Sequence, residues 1–341
     1  MLKIPGRAAL AALLFSSVAL SGPSALAQAL DPGTQTFIDA LAGAKPVYTL
    51  PIADARNVLA GAQKSVAVKL APATVQDRVL NLGPTGRTRV RVYRPIGARG
   101  ALPVVIYTHG GGWVLGDKNT HERLVRELTA GAKVISVFVD YERSPEARYP
   151  VAIEQVYATL DYVARHPAEF GADKGRIAIA GDSVGGNMTA VIALLAKERK
   201  GPALSAQLLF YPVTDASMSS QSYKDFAQGP WLTKAGMEWF WDQYLPDASK
   251  RADVHVSPIN ATSDQLRGLP RTLLIVNEND VLRDEGELHG RKLAAAGVNV
   301  TSVRYNGTIH DFMMLNAIAG TPAARGAVAQ SIDYLKATLA R

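Results

Sequence analysis

A serine set between small residues and a run of glycines are the parts of this 341-residue chain best suited to chemistry. Ser183 lies in Gly181-Asp182-Ser183-Val184-Gly185, downstream of His109-Gly110-Gly111-Gly112. A G-x-S-x-G sequence is the pattern of a nucleophile elbow, and a glycine run can turn backbone N–H groups toward a developing oxyanion. Together they suggest acyl transfer through a serine nucleophile. Cradling a phosphate would need G-x-x-x-x-G-K-[ST] or a completed G-x-G-x-x-G, and the chain has neither. The plainer alternative is a glycine-rich strand-to-helix turn with an incidental serine.

A serine hydroxyl needs a base, and a histidine oriented by a carboxylate is the usual one. Of the six histidines, His121 and His289 are expected within surface helices, His166 at a helix end before Pro167, and His255 in an irregular stretch. His109 belongs to the glycine run, where it would orient the turn. His310 follows a strand-like run, Val298 to Tyr305, and the expected loop Asn306-Gly307-Thr308-Ile309, so it is the candidate base. The acid is sought between serine and histidine. Asp280 leaves the carboxyl end of the strand-like run Arg271 to Val276 and is preferred to Glu278. Asp284 and Glu285 fit the first turn of the next helix, where carboxylates suit the dipole. Asp311 adjoins His310, and adjacent side chains rarely meet in the geometry that orients a ring.

These residues resemble the hormone-sensitive-lipase-like branch of the α/β-hydrolase superfamily, mostly bacterial carboxylesterases. The matching pieces are His109 to Trp113, Gly181 to Gly186, Asp280 to Gly286 and His310-Asp311-Phe312, with Tyr141 to Glu146 and Tyr149-Pro150 between them. The resemblance implies a triad of Ser183, Asp280 and His310, and an oxyanion hole made by the amides of Gly111, Gly112 and Val184. Three positions depart from the pattern. Val184 replaces a small alanine, Asp311 replaces a glycine, and Val281 stands where proline is frequent. Val184 would add bulk near the acyl group, and Asp311 would raise the His310 pKa if its carboxylate turned inward.

The elements that must hold these groups can be read from periodicity. Residues 75–82 and 87–93 look like an opening hairpin around Gly83-Pro84-Thr85-Gly86. Further strands are expected near 103–108, 133–139, 176–180, 205–210, 271–276 and 298–305. Helices fit near 117–130, 150–165, 186–199, 284–296 and 323–339. Such alternation predicts an α/β-hydrolase fold, a mostly parallel sheet flanked by helices with its site at the carboxyl ends of strands. Residues 28–74 and an insertion around 213–260 break the alternation and would form a helical cap. Met237, Phe240, Trp241 and Tyr244 share one helical face, which could pack inward or cover Ser183. Trp113, Trp231 and Trp241 are the candidate substrate-contacting aromatics.

Residues 1–27 read as a secretory signal, with Lys3 and Arg7 before the apolar run Ala8 to Leu20 and a small-residue site Ala25-Leu26-Ala27. The run is short for a membrane span. The expectation is a periplasmic or secreted protein without a stable membrane anchor. Lys3 and Arg7 account for two of the seven net positive charges, and no Lys/Arg run reaches five, so nucleic-acid binding lacks support. With no cysteine, disulfides, cysteine nucleophiles and cysteine-ligated zinc are excluded. The expected activity is hydrolysis of short-chain acyl esters, with no cofactor or metal and a small-molecule ester as partner. An amidase or arylformamidase on the same fold, and a non-catalytic binding protein on that scaffold, are the alternatives. A homodimer is compatible with the sequence and not required by it.

Overall fold

The computed structural model of the protein describes residues 29–340. The expected secretion signal, residues 1–27, lies outside the described residues. Eight strands form one sheet in the order β1-β2-β4-β3-β5-β6-β7-β8. They are β1 (Ala73–Leu80), β2 (Thr88–Pro95), β3 (Leu102–Thr108), β4 (Ile135–Asp140), β5 (Ala172–Asp182), β6 (Ala206–Phe210), β7 (Arg271–Asn279) and β8 (Val300–Ile309). β1 and β2 pair antiparallel as the expected hairpin, β2 joins β4 antiparallel, and all other pairings are parallel. The inner parallel strands are continuous apolar runs because helices cover both faces. Val104 to Tyr107, Ile135 to Val139 and Ile177 to Ala180 are all buried.

The largest difference from expectation concerns the two strands that end at the candidate acid and base. The stretch 306–309 is strand rather than loop. β7 and β8 continue past an irregularity at Asn277/Asn279 until Asn279 pairs with Ile309. The next residue of each strand is Asp280 and His310. Backbone pairing therefore delivers the two side chains to the same place.

Helices occupy Glu122–Ala132, Val151–Arg165, Val184–Glu198, Arg283–Ala295 and Pro322–Leu339, close to the expected spans. The first starts later than expected because Asp117 closes a turn, its Oδ1 accepting from the amides of Asn119 and Thr120. Two histidines move from surface to interior. His121, just before that helix, and His289, inside Arg283–Ala295, are each 1% exposed. Burial pulls the His289 imidazolium down to about 4.

The N-terminal residues form helices Pro32–Asp39 and Ile52–Lys64. Arg56 fixes the second to the body, reaching the carbonyls of Val114 and Ser144 and both oxygens of Glu146. At its far end Gln63 donates to the carbonyls of Thr120 and Met314 and accepts from the Asn316 amide. Residues 211–270 connect β6 to β7 and carry the helix Lys234–Tyr244. The aromatic stripe on that helix does both things considered above. Met237 and Phe240 line the cavity over Ser183, whereas Trp241 and Tyr244 pack against Trp113.

Candidate active site

Ser183 sits on the turn between β5 and the helix Val184–Glu198, at φ 55° and ψ −121°. Such a conformation costs a non-glycine residue about 1–3 kcal/mol and persists only where the surroundings over-determine it. Here its amide donates to the Phe210 carbonyl at 2.9 Å, and its carbonyl accepts from Asn187 and Val213. Gly185 makes the turn possible, since a Cβ there would overlap the Thr108 carbonyl. The result lifts the hydroxyl into a cavity while the residue itself stays 4% exposed.

The three expected polar residues meet. His310 Nε2 lies 2.9 Å from Ser183 Oγ, and its Nδ1 lies 2.7 Å from Asp280 Oδ2. A neutral imidazole in this setting donates from Nδ1 to the carboxylate and accepts the serine proton at Nε2. Asp280 is itself fixed, with Asn277 Nδ2 donating to Oδ2 at 2.9 Å and the Leu282 amide to Oδ1 at 3.0 Å. Tyr211 packs edge-on against the His310 ring, centroids 5.1 Å apart, and so limits its rotation. Asn277 and Tyr211 escaped the sequence reading. An Asn at a strand end is an ordinary turn residue, and Tyr211 touches the histidine only through the fold.

Asp311 was set aside as an acid, and its carboxylate does turn inward. Its Oδ1 is 3.6 Å from His310 Nε2, and its Oδ2 accepts from Trp231 Nε1 at 3.0 Å. Burial pulls the His310 imidazolium down, but the carboxylates of Asp280 and Asp311 outweigh it and push the ring up to about 9. Burial raises the Asp311 carboxyl, with His310 opposing.

Gly111 and Gly112 line the cavity with Ser183 and His310. The Gly110 amide is already committed to Asp182 Oδ2 at 3.1 Å. A Cβ on Gly112 would overlap the Phe240 ring, so the missing side chain lets the roof close down on the loop. Val184 is the first residue of its helix, where an N–H has no acceptor within the helix. Its side chain is fully buried and is not part of the cavity lining, so it does not crowd the acyl group as expected. The crowding comes from Leu59, Leu115, Trp231, Met237 and Phe240.

Two of the three expected substrate-contacting aromatics are displaced. Trp113, at φ 59°, is fully buried and stacks on Tyr244 with centroids 4.0 Å apart. Trp241 is also fully buried, with its centroid 4.7 Å from that of Trp113. Both fasten the helix Lys234–Tyr244 to the glycine loop. Trp231 alone of the three lines the cavity. Among the described residues no three His, Asp or Glu side chains cluster as a metal site, and no helix is long and apolar enough to cross a membrane.

Residues 105–314 match a family described by its alpha/beta hydrolase fold. A carboxylesterase of Mycobacterium tuberculosis, NlhH, is 38% identical over 267 residues, 78% of this chain and 83% of its own length. The carboxylic ester hydrolase LipN of the same organism is 41% identical over 266 residues, 76% of this chain and 69% of its own. Among solved structures, a thermostable esterase from Pseudomonas putida superposes with a TM-score of 0.90 at 50% identity, covering 92% of this chain and 98% of that one. With a doubly covered, mostly parallel sheet, a strained serine at the end of β5 and matches of this extent, the chain belongs to the α/β-hydrolase fold family, in its hormone-sensitive-lipase-like branch.

Proposed function

We propose that the protein is a serine carboxylic-ester hydrolase with Ser183, His310 and Asp280 as its catalytic triad. The unbroken 2.7 and 2.9 Å chain from Asp280 through His310 to Ser183, ending in an apolar cavity beside Gly111 and Gly112, carries this reading. In it, Ser183 Oγ attacks the ester carbonyl as His310 Nε2 takes the hydroxyl proton, and Asp280 stabilises the imidazolium. The amides of Gly111, Gly112 and Val184 receive the oxyanion, each such donor contributing about 3 kcal/mol of barrier lowering. His310 returns the proton to the leaving alkoxide, the alcohol departs, and water activated by His310 then cleaves the acyl-enzyme. Incubation with a fluorophosphonate should label Ser183 stoichiometrically, and matched ester and anilide substrates should be compared. An unlabelled serine would point to a binding protein, and equal or faster anilide cleavage to an amidase.

Acyl chains are expected to be short, about two to six carbons. The cavity above Ser183 is small, about 90 Å³, and is walled mostly by apolar side chains. An added methylene gains about 0.8 kcal/mol of burial, whereas overfilling a rigid site costs about 1–3 kcal/mol. Val47, Val58, Trp231, Leu232 and Phe240 line both this space and an adjoining groove of about 470 Å³ that runs past Leu41 and Tyr48. kcat/KM across nitrophenyl esters should therefore peak at short acyl groups, and Phe240→Ala should move the peak to longer ones. A twelve-carbon ester matching a four-carbon one in the wild type would overturn the size argument.

Export is part of the same proposal, on the charged, apolar and small-residue order of residues 1–27. Mass spectrometry of the protein from its native host should find a mature chain beginning at Gln28. An intact N-terminus on the active protein would refute it.

A further inference from the structure

Behind the glycine loop lies a second buried histidine–carboxylate pair that the mechanism above leaves unused. Asp182, the residue before the nucleophile, is fully buried. Its Oδ1 accepts from Tyr107 Oη at 2.7 Å, and its Oδ2 accepts from the Gly110 amide at 3.1 Å and lies 3.1 Å from His121 Nε2. The other ring nitrogen, Nδ1, is 2.9 Å from Thr120 Oγ1. That hydroxyl donates to the Asp117 carbonyl and accepts from the Asp117 amide. A hydroxyl has one proton and a carbonyl oxygen can only accept. With that proton on the Asp117 carbonyl, His121 Nδ1 carries its own hydrogen toward Thr120. Nε2 must donate as well, to a carboxylate that already receives two other donors. Both ring nitrogens are thus protonated.

We infer that His121 is a buried imidazolium and the positioning residue of the oxyanion hole, acting through Asp182. The inference rests on the proposed ester hydrolysis for its kinetic part only. Asp182 is joined by one peptide bond to Ser183 and by a hydrogen bond to Gly110, whose neighbours Gly111 and Gly112 supply two of the three amides. Holding Asp182 therefore sets the spacing between nucleophile and donors. The positive ring also cancels the charge of a buried carboxylate one residue from the nucleophile, where an unpaired charge is costly. The immediate neighbours agree with this assignment. Around His121 stand Tyr107, Phe138 and His109, with ring centroids 6.5, 6.2 and 5.4 Å away. Burial, with the His121 charge adding to it, holds His109 down at about 3 and therefore neutral. His109 donates from Nδ1 to the Gly110 carbonyl at 2.8 Å, steadying the same loop.

Nitrogen-15 NMR of the wild-type protein, with His121 assigned by its disappearance in His121→Gln, reads the charge state without reference to catalysis. Both ring nitrogens should be protonated, and should remain so while His310 titrates. Kinetics read the positioning role. His121→Gln keeps a donor toward Asp182 but removes the charge, and kcat should fall about 10²-fold with KM changed little, the scale of a disturbed oxyanion donor. Affinity for a trifluoromethyl ketone, whose adduct carries the oxyanion, should fall in parallel. Adding Asp182→Asn to that variant removes the stranded charge and should recover at least about tenfold of the loss. An unprotonated His121 nitrogen in the wild type would overturn the inference even if no variant folds. So would a loss confined to KM, or a double variant no better than His121→Gln. Absence of ester hydrolysis in the wild type would instead count against the proposed function and leave the NMR result standing.

Discussion

Ser183→Ala and His310→Ala are each expected to lower kcat for a short-chain nitrophenyl ester by about 10⁴- to 10⁶-fold. Both side chains serve one proton transfer, so the double variant should be no slower than the slower single one. Asp280→Asn should cost about 10⁴-fold, since an amide there favours the wrong imidazole tautomer. The fold should survive Ser183→Ala, which removes only the hydroxyl group that meets His310 Nε2. Thermal melts run beside the kinetics separate lost chemistry from lost structure. A folded Ser183→Ala protein retaining near-normal turnover would remove the central claim.

Activity should rise with pH along a limb whose midpoint lies on the alkaline side, because the base must be neutral and His310 is pushed up to about 9. The sign for Asp311→Asn follows directly. Asp311 favours the imidazolium, so removing its charge lowers the His310 pKa and moves the limb to lower pH. A displacement of about one pH unit is expected, which is about tenfold more neutral base wherever the wild-type ring is mostly protonated. Asparagine can still accept from Trp231 Nε1, so the cavity wall should stay in place. The check is a pH–kcat/KM profile of both proteins. An unmoved or alkaline-shifted limb would show that Asp311 does not set the base.

The sequence singled out Ser183, Asp280 and His310 because each follows a recognisable strand-like run, and parallel sheets place their ligands at that edge. It misjudged how the acid and base are joined. Residues 306–309, with Asn306 and Gly307 among them, look like a loop, and only pairing with Asn279 makes them a strand. His121 was read as a surface residue because Thr120-His121-Glu122-Arg123-Leu124 resembles the start of an exposed helix. Its burial is set by Asp182, which local periodicity cannot see. The same limit applies to aromatics. A stripe at helical spacing says that Met237, Phe240, Trp241 and Tyr244 face one side, but not that the neighbouring Trp113 will claim two of them. Val184 was legible as a departure from pattern, yet its bulk points into the core rather than at the substrate.

Gln63 hydrogen-bonds across 251 and 253 residues of chain, to Met314 and Asn316. Those bonds brace the backbone just past His310, so a helix made before the elbow helps hold a candidate base made well after it. During synthesis the elbow and glycine loop leave the ribosome long before the proton acceptor exists. A nascent or prematurely terminated chain that stops short of residue 310 therefore lacks its candidate base, whatever else of the sheet it has built. Non-local closure of this kind also slows the final folding step relative to local helix formation. The candidate site is thus completed in one step, when the segment carrying His310 joins the sheet, and not by degrees.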